Sequence, residues 1–219
     1  MVRQRVRVRF QKTGELRAVS HLDLMRAFER ALRRTGLPLR MSEGYNPRPR
    51  LSFPAPLGVG MEGLDEAMEF ELGEWTPPPE IESRLRAQLP EGLTLLRLEV
   101  APGRRAAQAT EATYRATPIE PLREDPRLAA EALDALMKRV EIPVGRRRKK
   151  RDKTVNIRPF LLALRRDGDE LILRVTAGSP GSARPEEVLG ALGFDDETIR
   201  GGFRLTRVEV RLADPVPTS

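Results

Sequence analysis

Alternating apolar–polar runs and amphipathic helical runs follow one another twice along the chain in the order β-α-β-β-α-β. Each set of runs is closed by Gly- or Pro-bearing turns, and a small, polar, basic segment, residues 101–112, lies between the sets. These observations predict an α+β chain of two tandem ferredoxin-like (βαββαβ) domains, 1–101 and 112–213. Each would be an antiparallel sheet with both helices on one face.

The first strand is read from Val2-Arg3-Gln4-Arg5-Val6-Arg7-Val8-Arg9-Phe10, where Val2, Val6, Val8 and Phe10 point one way and Arg3, Arg5, Arg7 and Arg9 the other. Ser20 reads as an N-cap with Asp23 three residues on, and Leu24, Met25, Phe28, Ala31 and Leu32 form a helical stripe. Gly36 sits where that helix ends, and Leu37-Pro38 prevents continuation. A short strand is expected over 37–41, then a proline-punctuated basic loop from Ser42 to Arg50 and an extended Leu51-Ser52-Phe53. Residues 67–73 alternate, with Glu69 and Glu71 opposite Met68, Phe70 and Leu72. A helix over 80–89 and a strand over 93–100 close the first domain.

In the second domain the spacing predicts a strand over 114–119 and a helix over 127–139. A strand over 155–164 is turned back at Arg165-Arg166-Asp167-Gly168-Asp169 into a partner over 170–176. A helix opening at Arg184-Pro185-Glu186 and a strand over 204–212 complete it. A basic arm, 145–153, interrupts this half.

The chain has 219 residues, 39 Lys+Arg against 32 Asp+Glu, a net charge of +7 and a pI near 10.4. Cysteine is absent and His21 is the only histidine. Thiolate metal sites, Fe–S clusters, disulfides and two-histidine zinc sites are therefore excluded. We expect no metal and no cofactor. Nothing approaches a transmembrane run or a signal peptide, so a cytoplasmic protein without a membrane partner is expected. The charge points to a polyanion.

The candidate RNA-binding residues fall in three groups. Arg3, Arg5, Arg7 and Arg9 would lie about 6.6 Å apart on one sheet face, a spacing able to follow phosphates; the competing reading pairs them with Glu69 and Glu71. Tyr45, Arg48 and Arg50 combine a stacking ring with guanidiniums on a stiff loop; the alternative is a purely structural connection. Arg146, Arg147, Arg148, Lys149, Lys150, Arg151 and Lys153 set seven cations against Asp152 alone, a run that repels itself and suits a polyanion. Arg26, Arg30, Arg33 and Arg34 read as a solvated helix face. His21 is the one candidate catalytic residue, as the only ordinary base near neutral pH. No nucleophile–base constellation surrounds it in sequence, and the expectation is a non-catalytic protein.

Leu16-Arg17-Ala18-Val19-Ser20-His21-Leu22-Asp23-Leu24, Ala31-Leu32-Arg33-Arg34-Thr35-Gly36-Leu37-Pro38, Ser42-Glu43-Gly44-Tyr45-Asn46-Pro47-Arg48-Pro49 and Leu57-Gly58-Val59-Gly60 carry a resemblance. Through them the chain resembles the radical-SAM-associated (radical-SAM-linked) bacterial proteins. These are a domain of unknown function found alone or fused C-terminally to cobalamin-binding radical SAM proteins. The chain departs from that pattern in having Arg48 where the family often has His, and Asn156 where the family often has Asp. The resemblance implies an RNA or translation context and a radical SAM partner, and no established catalytic residues. The expected function is an RNA-binding accessory protein acting on tRNA or rRNA together with a separately encoded radical SAM enzyme. The alternatives are a metal-independent ribonuclease using His21 and a protein-interaction scaffold without RNA.

Overall fold

The computed structural model describes residues 4–102, 105–146 and 153–214. They form a mixed α+β structure with five α-helices and mostly antiparallel strand pairs. The chain divides into two compact units. One comprises Met1–Ala109 and Glu209–Ser219, the other Thr110–Val208.

The first unit opens with β1 (Gln4–Lys12) and α1 (His21–Arg34), followed by β2 (Leu51–Ser52) and β3 (Glu62–Leu72). It continues with α2 (Pro78–Arg86) and β4 (Leu93–Val100). β1 lies between β4 and β3, antiparallel to both, and β2 pairs with β3. Val6, Val8 and Phe10 are buried against Leu24, Phe28, Ala31 and Leu32 of α1 and Ile81 and Leu85 of α2. The period-two and period-3.6 stripes read from the sequence meet in this core. Burying such side chains contributes about 1.5–3 kcal/mol each.

α1 begins where the sequence indicates. The Asp23 amide donates to Ser20 Oγ at 3.2 Å, and the Ser20 hydroxyl donates to Asp23 Oδ2 at 2.7 Å. The fully buried Lys12 ammonium donates to the carbonyl of Val19 at 2.9 Å, tying the end of β1 to the approach of α1. Beyond the helix Gly36 has φ +67°, a conformation other residues adopt only with strain. The strand expected over 37–41 reduces to two isolated bridges, Leu39 with Leu72 and Met41 with Pro49. Pro38 lacks the amide that a longer ladder would need.

In the second unit β5 (Gln108–Pro118, entering from the first unit) precedes α3 (Ala130–Lys138). A two-stranded ribbon of β6 (Pro143–Arg146) and β7 (Lys153–Asn156) follows. Next come β8 (Leu161–Asp167) and β9 (Glu170–Thr176). β9 pairs antiparallel with both β5 and β8, and α3 packs on β8. The single strand expected over 155–164 is broken by a tight helical turn, Arg158–Phe160. Pro159 explains the break, since it cannot donate to a ladder. α4 (Pro185–Ala191) and α5 (Asp196–Gly202) lead to β10 (Phe203–Ala213). Residues of β10 up to Val208 belong to the second unit, and those from Glu209 to the first.

α5 has no counterpart in the sequence reading, although its signal was present. Asp195 caps it, accepting from the Thr198 amide at 2.8 Å.

Candidate nucleic-acid interface

Arg5, Arg7 and Arg9 are 8, 6 and 8% exposed, and all three guanidiniums meet carboxylates or carbonyls of their own unit. The β1–β3 register sets Arg5 opposite Glu71 and Arg7 opposite Glu69. Arg5 pairs with Glu71 at 2.5 Å and reaches Glu69 at 3.6 Å. Arg7 donates through Nε to Glu69 at 2.9 Å, and its Nη atoms reach Glu69, Glu99 and Asp214. Arg9 donates to the Val210 carbonyl at 2.7 Å and lies 3.5 Å from Asp65. Arg40 holds the second oxygen of Glu71 at 3.0 Å. Burial pulls the Arg7 guanidinium down, and the hydrogen bonds and charges of Asp214 and Glu69 together outweigh it, leaving Arg7 above its ordinary value. The ladder seen in sequence is therefore an internal ion-pair lattice. Its partners come from β3, β4 and the C-terminal strand. Arg3 lies outside the described residues.

A cluster of exposed positive charge in this unit sits elsewhere, on α1. Arg26, Arg30, Arg33 and Arg34 are all exposed, and Arg26 and Arg30 stand one turn apart, about 6 Å along the axis. Asp23 pairs with Arg26 at 3.0 Å. Among the described residues, Arg30, Arg33 and Arg34 have no carboxylate partner at salt-bridge distance; Arg33 and Arg34 bond neutral oxygens of Pro47 and Gln88.

The Ser42–Arg50 loop lies beside this helix as a closed hairpin. The Ser42 amide donates to the Arg48 carbonyl at 2.7 Å, and the Arg48 amide donates to Ser42 Oγ at 3.0 Å. Arg33 of α1 donates to the Pro47 carbonyl at 2.8 Å, and Arg48 approaches Glu29 at 4.0 Å. Arg50 is half-buried and reaches Glu43 at 3.5 Å. Tyr45, at the tip, is 102% exposed. The glycine-rich loop also joins α1's approach, through the Gly60 amide and the Arg17 carbonyl at 2.8 Å. Three sequence blocks separated by up to about forty residues thus gather around one helix.

His21 is the first residue of α1, and its ring meets Phe53 edge-on at 5.2 Å. Phe53 in turn contacts Phe10 and Phe28. The Ser20 hydroxyl is engaged in capping, and Asp23 is held below the usual carboxylate range by its hydrogen bonds from Ser20 and then Arg26. This geometry gives Ser20, His21 and Asp23 packing and capping roles. Among the described residues no group of three or more His, Cys, Asp or Glu side chains is placed to hold a metal ion.

In the second unit the base of the basic arm is anchored. Arg146 makes a two-pronged bond to Glu187 of α4, at 2.7 and 2.8 Å, and donates to the Ser182 carbonyl at 2.6 Å. Asn156, across the ribbon's foot, accepts from the amides of Ile142 and Arg158 at 2.9 and 3.1 Å. Lys153 is exposed. Arg147, Arg148, Lys149, Lys150 and Arg151 lie outside the described residues.

Two carboxylates of this unit carry a pH dependence. The Arg127 guanidinium holds Asp125 below its ordinary value, and the amide and hydroxyl of Thr198 do the same for Asp195. Both groups favour the folded state above the unfolded carboxylate pKa of about 3.9, and that contribution is lost as pH falls through their lowered folded values. The thermal midpoint is therefore expected to drop on acidification below about pH 4. The Asp125→Asn, Asp195→Asn double variant should show a shallower drop; an unchanged acid profile would remove these two residues from the account.

No helix among the described residues is long and apolar enough to cross a membrane. A family model described as "Uncharacterized protein conserved in bacteria (DUF2344)" matches residues 5–185. No curated protein matches the chain. Among solved structures, an unknown protein from Galdieria sulphuraria aligns at 17% identity over 97% of this chain and 99% of its own, with a TM-score of 0.26.

Proposed function

The chain belongs to this uncharacterized family conserved in bacteria, and within it we propose an RNA-binding accessory protein that acts on tRNA or rRNA with a separately encoded radical SAM enzyme. The observation that carries the RNA reading is the exposed arginine face of α1 beside the Tyr45 hairpin. Arg26, Arg30, Arg33 and Arg48 stand there against few carboxylates, and the hairpin that carries Arg48 also carries the exposed Tyr45 ring. Arginine forks suit phosphate oxygens, and an aromatic face suits bases. The seven cations between Arg146 and Lys153 support the same reading by composition.

The resemblance of the Ser20–Asp23 and Gly44–Pro49 blocks supports the radical SAM partner. The absence of cysteine means that the cluster would belong to that partner. The placing of β1 between β4 and β3, with the short β2 paired to β3, supports a ferredoxin-like arrangement in the first unit, as one of a tandem pair. A cytoplasmic location fits the cysteine-free composition and the RNA reading.

The test is a salt titration of binding to total tRNA and to rRNA fragments. Log affinity should fall linearly with log salt, by roughly 0.7–0.9 per phosphate contacted. No retention at low salt, or an affinity indifferent to salt, ends the proposal.

A further inference from the structure

Resting on the RNA reading above, we propose that the tip of the Ser42–Arg48 hairpin is a stacking site for an unpaired nucleobase. Tyr45 is the platform and Arg48 holds the adjoining phosphate.

The argument begins with the exposure of Tyr45. The phenylalanines of this unit pack together, with Phe10, Phe28 and Phe53 in mutual edge-to-face contact. Tyr45 alone among the described aromatic residues is fully in water. An aromatic ring has 150–250 Å² to bury, so the chain forgoes a favourable contact at this position.

The loop holding the ring is stiff. Its two ends are tied by the Ser42–Arg48 bonds and by the Met41–Pro49 bridge. Pro47 and Pro49 fix their own φ angles. Arg33 clamps the Pro47 carbonyl from α1. Gly44, immediately before the ring, has φ +128°, a conformation nearly closed to other residues, while nothing lies within 4 Å of where a Cβ would be. Glycine is needed there for the backbone path that carries the tyrosine outward, and not for space. A ring fixed in this way loses little freedom on binding.

The chemistry around the ring selects the ligand. Arg48 is 64% exposed and only loosely held, 4.0 Å from Glu29. Arg30 is exposed on the neighbouring helix. A free π-face on the same short hairpin as an exposed guanidinium matches one nucleotide, base on ring and phosphate on fork. A base inside an A-form duplex has both faces covered by its neighbours, so the site should take single strands, loops or bulges.

The experiment uses the full chain and one oligoribonucleotide in two forms, single-stranded and as a perfect duplex. The oligonucleotide carries a fluorescent adenine analogue whose emission is quenched by stacking. The single strand should show quenching on binding. Tyr45→Ala should abolish the quenching and weaken single-strand affinity by roughly 5- to 150-fold, leaving duplex affinity unchanged. Tyr45→Phe should behave as the native protein, because stacking needs the ring and not the hydroxyl. Equal losses on both forms, an unaffected Tyr45→Ala variant, or a Tyr45→Phe variant as weak as Tyr45→Ala would overturn the stacking site. If the native protein binds neither form at low salt, the RNA reading itself falls. Capture of a protein partner that needs Tyr45, without RNA, would reassign the tip to that partner.

Discussion

Glu69→Ala will destabilise the first unit by about 3–5 kcal/mol, the cost of stranding a buried charge. Glu69 is 0% exposed. Its carboxylate accepts from Arg7 Nε and Nη2 at 2.9 and 2.8 Å and from the Ala107 amide at 3.1 Å, with Arg5 at 3.6 Å. Removing it leaves Arg7, itself buried, with Glu99 and Asp214, which are both partly exposed. The amide of Ala107 is also left without its acceptor, at a further cost of about 1–3 kcal/mol where water cannot enter. Glu80→Ala provides the contrast. Its partner Arg84 lies 2.6 Å away on the helix surface, and such pairs contribute roughly 0–1 kcal/mol. Urea unfolding of the two variants should separate them clearly. A Glu69→Ala midpoint close to native would mean that water or neighbouring carboxylates replace the lost charge, and the lattice would not be the structural element described above. Replacing Arg7 and Glu69 together by methionine and leucine should recover much of the loss, because the penalty arises from one unpartnered charge.

The second large effect is on binding. Replacing Arg26, Arg30 and Arg48 together by glutamine should weaken RNA binding by about 10³-fold at low salt, taking roughly 1.5 kcal/mol per charge-assisted contact. The salt slope should shrink by about 3, near one per lost phosphate. The loss should be uniform across RNA sequences, since phosphate contacts position and do not read bases. The three side chains are exposed and make only surface pairs, with Asp23 at 3.0 Å and Glu29 at 4.0 Å. The unfolding midpoint should therefore move by no more than about 0.5 kcal/mol. An undiminished affinity with an undiminished slope would remove α1 from the interface and leave the 145–153 segment as the contact to pursue.

The parts of the fold legible in sequence were those with local causes. Val6, Val8 and Phe10 alternate because strand side chains alternate, and Leu24, Phe28, Ala31 and Leu32 recur because a helix turns every 3.6 residues. Ser20 announces α1 through its own side chain. The break before β8 was also written locally, in Pro159, but the apolar run from Val155 to Leu164 obscured it. Asp195 likewise carries the cap signal of α5 in its own side chain.

The candidate site was legible in a different way. Tyr45, Arg48 and the prolines around them identify a stiff aromatic–basic loop. The sequence cannot say that Arg33, from a separate helix, clamps it, or that the ring points into water. Regularity of pattern and exposure to solvent rank the two arginine faces in opposite orders. The β1 ladder has the more regular pattern, while the α1 arginines have the ordinary look of a solvated helix. Their difference lies in their neighbours: Glu69 and Glu71 by register, Asp214 and Val210 from the far end of the chain.

Sequence alone therefore determined most of the elements, their apolar faces, the excluded chemistries and the presence of excess arginine. Tertiary structure decided which of those arginines meet solvent. Periodicity is a property of a few consecutive dihedral angles and is visible in any short window. Whether a guanidinium is buried depends on a balance between losing water and gaining carboxylates. The carboxylates that settle that balance for Arg7 stand 62, 92 and 207 residues away, where no local pattern reaches.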